Sequence, residues 1–305
     1  MRSNDPLAVH IALIGTVLFW GLSFVATKMA LETFPPFSLV FCRFLLAAGF
    51  FLALTRGRSF AKFSRREHVL LFLTALFEPG LYFVFETLGL QRTTAPKAAL
   101  IIATIPLAVS LFAAVLLKER ARRSDLCAAI ISLLGVGALV LGDPDFVPRL
   151  GGAFLGDLLI VGAVFSASLY MVIARNLGGS HSSLEITSVQ MTWGAIFFLP
   201  GFLWELPRSD WGAVSGGSVL ALAYLTVFAT VAAFLLYNHA LTRLPASRAS
   251  VFINLIPVVT ATGAWLLLDE VLTPLQMMGG GLVMVAVFGA NLPRRRAAAV
   301  PEMGG

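Results

Sequence analysis

Long apolar runs alternate with short polar stretches along the whole chain. A helix needs about 20 mostly apolar residues to cross the hydrocarbon core of a bilayer, and ten runs approach or exceed that length. The connections between them are too short for a soluble domain, so the pattern predicts an all-α membrane protein with ten transmembrane helices. The predicted spans are residues 7–31, 36–55, 69–90, 97–117, 125–142, 154–174, 185–204, 218–241, 248–268 and 274–292.

The composition supports this class. Of the 305 residues, 58% are hydrophobic and 12% are charged, whereas soluble domains are about 25% charged. So few charges cannot cover a water-soluble core of this size, which leaves the lipid bilayer as the surrounding medium. The net charge of +6 does not indicate nucleic acid as a partner, because the basic residues follow the loops on one side of the predicted bundle.

Most basic residues fall on the side of the membrane that contains the N-terminus. The other side has only Arg92, Lys97, Arg149 and Arg208. Because cytoplasmic loops collect lysine and arginine, both termini are predicted to be cytoplasmic, in a bacterial inner membrane. The basic residues on the N-terminal side are Arg2, Arg56, Arg58, Lys62, Arg65, Arg66, Lys118, Arg120, Arg122, Arg123, Arg175, Arg243, Arg248, Arg294, Arg295 and Arg296.

The chain lacks the sequence motifs of common metal, redox and nucleotide sites. Its two cysteines, Cys42 and Cys127, lie in separate apolar runs without a CxxC or Cys/His cluster, so no disulfide framework or metal site is indicated. No P-loop, HExxH or GxSxG sequence occurs. We therefore expect no cofactor, no metal and no catalytic residues, and the protein is not predicted to be an enzyme.

A long segment of the chain occurs twice. "LQRTTAPKAALIIATIPLAVSLFAAVLLKE", residues 90–119, aligns without a gap on "LTRLPASRASVFINLIPVVTATGAWLLLDE", residues 241–270. Pro106 then matches Pro257 at an interval of 151 residues. The earlier spans match more loosely at an interval of 147 residues, which pairs residue 28 with 175 and Arg43 with Gln190.

The repeat predicts two halves, residues 7–142 and 153–292, with five spans each. Because five is odd, the second half enters the membrane from the opposite side. Such inverted repeats are typical of transporters, in which the two halves exchange conformations and open a central site alternately to each side of the membrane.

Three motifs resemble the drug/metabolite transporter superfamily, EamA type. They are "FWGLSFVATK" in the first span, "FCRF" in the second, and a proline-centred span that ends in "LLKE" or "LLDE" in each half. The resemblance implies a basket of ten helices around a central cavity, and export of amino acids, related metabolites or toxic amphiphiles. Within the family the chain is most similar to YddG-type exporters of aromatic and other neutral amino acids.

Two predicted spans carry polar or aromatic residues at helical spacing. Glu78, Tyr82 and Glu86 follow one another at four-residue intervals in the third span, so they share one helical face. The first span has an equivalent set, and counting from the outer ends places the two sets at matching depths. If the spans face each other, the pairs are Trp20 with Glu78, Phe24 with Tyr82, and Lys28 with Glu86.

Glu86 has two cationic residues within predicted reach. Lys28 lies at the same depth, and Arg43 of the second span has a long side chain that enters from the same side. One interpretation is a salt bridge that orders the outer part of the cavity. The other is an outer gate or an electrostatic attraction for a charged substrate.

Glu78 lies near the bilayer midplane, where no cation is predicted. It precedes Pro79, which cannot donate a backbone hydrogen bond and is expected to bend the helix. One interpretation is a protonated Glu78 that donates a hydrogen bond to the carbonyl freed by Pro79. The other is a cavity-facing carboxyl that binds a substrate ammonium group or a coupling proton.

Several further residues are candidates for the cavity or for hinges. Pro106 and Pro257 are predicted hinges near the middle of their spans, with a static kink as the alternative. Asn254 and Thr104 lie close to these prolines and can bond a freed carbonyl or a substrate. The remaining predicted substrate-binding residues, with packing or lipid contact as the alternative, are Tyr170, Trp193, Phe228 and Tyr237.

These features favour a monomeric secondary transporter that exports small amphiphilic metabolites, most specifically neutral or aromatic amino acids. Protons are a candidate coupling ion, since no ATP-binding motif is present. The alternatives are a channel-like facilitator, which the inverted repeat argues against, or an exporter of other metabolites or toxic cations.

Overall fold

Apolar helices connected by short loops make up the chain in its computed structural model. The structure describes residues 6–116, 123–144, 146, 152–174, 182–241, 252 and 254–291, and within them we number ten long helical segments. They are α1 (Pro6–Leu31), α2 (Pro36–Leu54), α3 (Arg65–Leu90), α4 (Ala95–Leu116), α5 (Arg123–Leu141), α6 (Gly152–Ala174), α7 (Ser183–Glu205), α8 (216–241), α9 (Ile256–Leu268) and α10 (Pro274–Asn291).

Each helix overlaps one of the ten predicted spans, although α3 begins at Arg65 and α9 at Ile256 where the predicted spans begin at residues 69 and 248. Seven of those in the described part of the chain are long and apolar enough to cross a membrane, namely α1 to α4 and α6 to α8, while α5, α9 and α10 contain shorter apolar helices. The prediction of an all-α membrane protein is confirmed. Residues 117, 248–251, 253 and 292 of the predicted spans lie outside the described residues.

Local sequence signals set several helix starts. Ser64 and Glu67 form a capping box at the start of α3, and Ser182 and Glu185 form another at the start of α7; each supplies acceptors for backbone N–H groups that have no partner within the helix. Proline occupies the first turn of α2, α4 and α9, where its missing N–H costs no hydrogen bond.

The bundle is apolar outside and partly polar inside. Large side chains such as Val115, Leu220 and Val271 are at least 70% exposed, and so much exposed apolar surface indicates contact with lipid. Many polar residues lie in the interior instead; some bond within their own helix, as Thr74 does, and others bond to a different segment, as Ser38 and Lys97 do. Side chains with no exposed surface include Thr16, Ser38, Thr74, Lys97, Ser168 and Thr260.

Helix contacts between the two halves occur in related pairs. Helix α1 packs on α8 and α9, and its repeat counterpart α6 packs on α3 and α4. The contacts of α2 with α7 and of α5 with α10 join counterparts to each other. This is the pattern that a two-fold repeat produces, while the opposite orientation of the halves in the membrane stays a prediction.

The helices are interrupted at corresponding positions of the two halves. Helix α3 widens at Leu76–Leu81 and α8 at Leu225–Ala232. Helix α4 is broken by a turn at residues 103–104, and a turn at residues 254–255 precedes α9, again 151 residues later. Pro106 and Pro257 are each the second residue of the helical piece that follows the turn. They therefore begin helical pieces, whereas the sequence suggested kinks within continuous helices.

Candidate functional site: the central cavity

The bundle encloses a cavity of about 460 Å³ between the two halves. Helices α1 to α4 and α6 to α9 all contribute to its wall. Nine of the residues singled out in the sequence line it: Trp20, Phe24, Arg43, Glu78, Pro79, Tyr82, Glu86, Tyr170 and Tyr237. The cavity is therefore where these candidates come together.

The cavity extends toward the end of the bundle that is predicted to be cytoplasmic, here called the inner end. Ile186 and Thr187 line it from the start of α7, and Met171 and Tyr237 line it from the last turns of α6 and α8. Toward the opposite, outer end, the α3 lining stops at Glu86, one turn before the helix ends at Leu90.

Helix α3 brings both glutamates and Tyr82 to the cavity, as their spacing predicted. At Glu78 the backbone leaves the helix, with φ −143° and ψ 113°, because a residue that precedes proline avoids the helical region. Tyr82 contacts Phe83 edge to face, with ring centroids 5.0 Å apart. The structure shows no hydrogen bond from the Glu78 carboxyl to another described residue, so the bond to a freed carbonyl is absent.

Trp20 and Phe24 line the cavity from α1, opposite α3. The indole N–H of Trp20 donates to the carbonyl oxygen of Ala229 at 3.0 Å. That carbonyl belongs to the widened π-helical segment of α8. Such segments occur frequently at functional sites. The Trp20 ring also contacts Phe234 and Tyr237, with centroids 5.7 and 5.2 Å apart, so one wall of the cavity is aromatic.

Arg43 is held in a fixed orientation at the cavity wall. Its Nε donates to the hydroxyl of Thr230 at 2.8 Å, and that hydroxyl donates to the carbonyl oxygen of Leu225 at 2.9 Å. The guanidinium group lies over the Phe83 ring, 4.8 Å from its centroid, within the range of a cation–π interaction. The charge of Arg43 acts on both Glu86 and Tyr82.

Glu86 does not form the ion pair that the sequence suggested. It is 3% exposed, and its Oε2 atom is buried without a hydrogen-bond partner among the described residues. Lys28 instead pairs with Glu270 and donates to the carbonyl oxygen of Thr93 at 2.8 Å. Lys28 lies in the last turn of α1, so its side chain reaches the loops beyond the cavity, where these acceptors lie.

Ion pairs join the helices at the outer end. Glu270 also accepts from the backbone N–H of Ala95 at 2.7 Å, and Lys97 pairs with Asp143 and Asp157. Thr93 connects the two groups, because its hydroxyl donates to Asp157. We call this network the outer ionic cluster; it consists of Lys28, Thr93, Lys97, Asp143, Asp157 and Glu270.

Four predicted substrate-binding residues lie away from the cavity wall. Thr104 donates to the carbonyl oxygen of Ile101 at 2.7 Å, in the turn of α4. Trp193 packs on Phe72 and Phe197. Phe228 is 43% exposed, on the outward face of α8, and Asn254 is 3% exposed, in the turn before α9.

Spacing within one helix could not separate these four residues from the lining ones, because it does not show which helix lies opposite. The two predicted hinges Pro106 and Pro257 are also absent from the wall.

Sequence reasoning missed Gln190, whose side-chain amide donates to the Tyr170 hydroxyl at 3.3 Å. Gln190 lines the cavity from α7, and its repeat counterpart Arg43 lines it from α2. The repeat alignment therefore contained a signal that both positions face the cavity. Other polar wall residues that were missed are Ser23, Thr187 and Thr230.

The cavity wall offers carboxyl, guanidinium, amide and hydroxyl groups in an otherwise apolar enclosure. Within the described residues, no group of three or more His, Cys, Asp or Glu side chains could hold a metal ion. The arrangement suits reversible binding of a small molecule that has both an apolar part and charged or polar groups.

Comparisons with known proteins identify relatives of this chain. The model of the EamA-like transporter family matches the chain twice, at residues 7–141 and 154–292. An "Uncharacterized transporter" of Archaeoglobus fulgidus is 30% identical over 91% of this chain and 96% of its own. The "Uncharacterized transporter YetK" of Bacillus subtilis is 25% identical over 98% and 91% of the two chains.

A plant relative and a solved structure extend the similarity. A WAT1-related protein of Arabidopsis thaliana is 27% identical over 92% of this chain and 69% of its own. A solved structure, named only as "Crystal structure of protein", covers 92% of this chain and 96% of its own, with a TM-score of 0.63 and 20% identity. At that identity the structural match shows a shared fold.

Proposed function

This chain belongs to the EamA-like transporter family, and we propose that its central cavity carries neutral or aromatic amino acids out of a bacterial cell by alternating access. The observation that carries the proposal is the cavity itself, in which charged groups and an aromatic wall face one enclosed space of about 460 Å³. Cavities of about 300–1,000 Å³ with a few polar groups are typical of small-molecule sites.

The position of the cavity supports a carrier that works by alternating access. The lining extends toward the inner end, while the outer ionic cluster joins helices of both halves at the outer end. A site that opened to the inner side while the outer ionic cluster closed the other side would be one state of an alternating-access cycle. A channel-like facilitator would need a path through both ends at once, so we favour a carrier.

The excess of acidic groups in the cavity favours amphiphilic cations as a second candidate substrate class. Two carboxyl groups, Glu78 and Glu86, line the cavity with one guanidinium group, that of Arg43. An excess of acids would also suit export of a toxic amphiphilic cation. Transport assays should therefore include a lipophilic cation beside amino acids.

Energy would come from the substrate gradient or from protons. Glu78 is the candidate proton carrier, because it faces the cavity and the structure shows no ion pair or hydrogen bond between its carboxyl and another described residue. The inner-membrane location, the cytoplasmic termini and the monomeric state are parts of the same proposal; the first two rest on the distribution of basic residues.

The test is uptake of labelled amino acids by proteoliposomes, with and without an imposed pH gradient, for wild type and Glu78→Gln. Glutamine keeps the size of the side chain but cannot release a proton. We expect saturable flux in both proteins and a response to the pH gradient in wild type only. An equal pH response in the variant would remove Glu78 as the proton carrier, and flux that does not saturate for any amino acid or cation would contradict the transporter.

A further inference from the structure

Two oppositely charged groups face the cavity near its outer limit without forming a close ion pair with each other. Arg43 is 7% exposed and Glu86 is 3% exposed, and both line the cavity. The structure shows no ion pair between them, although both residues are described. Because an unpaired buried charge is unfavourable, this arrangement is best satisfied when something else binds between them.

The protein fixes Arg43 in a way that leaves part of its guanidinium group available. Its hydrogen bond to Thr230 uses Nε, and the Phe83 ring covers one face of the group. The two terminal nitrogens make no hydrogen bond to another described residue. A guanidinium group offers paired donors that match a carboxylate, so Arg43 is oriented to receive an anion.

Glu86 supplies the complementary half. Its Oε2 atom is buried and lacks a hydrogen-bond partner among the described residues, and an oxygen in this state requires a donor. The nearest lysine in the sequence prediction, Lys28, is bound to Glu270 and Thr93 instead. A hydrogen-bond donor on a bound molecule would satisfy this atom.

We infer that Arg43 and Glu86 form a subsite for a zwitterionic head group, in which Arg43 binds the carboxylate and Glu86 binds the ammonium group of one substrate molecule. The inference rests on the proposed function and narrows it: the transported molecule carries both charges close together. Its apolar side chain lies against Trp20, Tyr82 and Tyr237. Thr230 is a positioning residue, since it acts on the substrate through Arg43.

This subsite separates three compounds that share an aromatic ring. Phenylalanine has both charges, phenethylamine lacks the carboxylate, and 3-phenylpropionate lacks the ammonium group. Each analogue leaves one buried charge of the protein without its partner. We expect wild-type protein to bind each analogue about 10- to 100-fold more weakly than phenylalanine.

The test is competition of each compound against labelled phenylalanine on purified full-length protein in lipid nanodiscs. The Arg43→Gln variant should no longer prefer phenylalanine to phenethylamine, but it should still prefer phenylalanine to 3-phenylpropionate. Glu86→Gln should show the reverse. The matched controls Arg92→Gln and Glu32→Gln alter exposed residues outside the cavity wall and should keep both preferences.

Thr230→Val provides a second variant that keeps every charge. It should reduce the preference over phenethylamine, because Arg43 loses the hydrogen bond that orients it. Thr226→Val removes a hydroxyl one turn earlier in α8, which bonds only to the carbonyl oxygen of Leu222 among the described residues and lies outside the cavity wall; it should leave the preference unchanged.

Wild-type protein that binds all three compounds equally would overturn the head-group subsite and leave the proposed function standing. The same holds if each charge variant loses both preferences equally. If none of the three compounds binds, and proteoliposomes transport no amino acid, the proposed function itself fails.

Discussion

Lys97 is the residue whose environment differs most from what its position in the sequence suggests. The hydropathy pattern places it with the few basic residues of the outer loops, yet it has no exposed surface and lies between Asp143 and Asp157. A lysine at this depth is stable only while its charge is matched. The sequence could not reveal this, because the two acids come from segments about 46 and 60 residues further along the chain.

Replacing Lys97 should therefore destabilise the protein strongly. Lys97→Met removes the cation that both acids contact, and the expected loss is about 3–5 kcal/mol. Lys62→Met is the matched control, because Lys62 pairs with Glu185 at the inner end with its side chain 54% exposed, and such pairs contribute about 0–1 kcal/mol. Thermal unfolding in detergent measures both variants. Equal melting temperatures would contradict a stabilising role for the buried cluster.

At the scale of elements, the sequence predicted the helices well and their neighbours poorly. Tyr82 and Glu86 share a face because the helix repeat determines it, and Glu78 also lines the cavity although the backbone leaves the helix there. The predicted partner of Lys28, Glu86, was wrong. Lys28 pairs with Glu270 instead, which tertiary packing brings close although the two residues are 242 positions apart in the sequence. The matching positions of Pro106 and Pro257 followed from the repeat, which is a property of the sequence itself, whereas the turns that precede them were not predicted.

The contact of α5 with α10 depends on two glycines. A Cβ atom at Gly135 would lie 2.6 Å from the Gly279 carbonyl oxygen, and one at Gly279 would lie 2.6 Å from that of Gly135. Gly135→Ala should force the helices apart at a cost of about 1–3 kcal/mol. Gly137→Ala, with no atom within 4 Å of the new Cβ, should stabilise α5 by about 0.5–1 kcal/mol. Thermal unfolding would contradict this if both variants shifted the melting temperature in the same direction.

The outer ionic cluster is an element-scale contact that must open if the cavity is to face outward. Glu270→Gln keeps an acceptor for Ala95 but loses the charge that binds Lys28. In a Cys42→Ala, Cys127→Ala background, the substitution Ser23→Cys reports access to the cavity, because Ser23 lines it. We expect a membrane-impermeant maleimide added outside to label it roughly tenfold faster in the Glu270→Gln variant.

The matched control for this experiment is Glu32→Gln, an exposed residue at the same end of the bundle. It should leave the labelling rate unchanged. An unchanged rate in Glu270→Gln would show that the Lys28–Glu270 pair does not hold the outer end closed.

The whole molecule combines two related halves around one asymmetric site. The equivalent contacts that α1 and its counterpart α6 make with the other half reflect the repeat. The glutamates are not repeated: both cavity glutamates belong to α3, and the repeat aligns Glu78 with Ala229 of α8. The symmetric framework suits motion between two states, and the asymmetric residues suit binding of one oriented substrate. The repeat predicted the framework from the sequence, whereas the cavity wall required the packing of eight helices.

Counterflow in proteoliposomes tests the central claim, a carrier with one alternating site, most directly. Vesicles loaded with unlabelled phenylalanine are diluted into a trace of labelled phenylalanine, and the label inside is followed with time. A carrier predicts that the label accumulates transiently above its outside concentration and that this overshoot saturates with substrate. Label that only equilibrates, at a rate independent of the unlabelled amino acid inside, would contradict alternating access of the cavity.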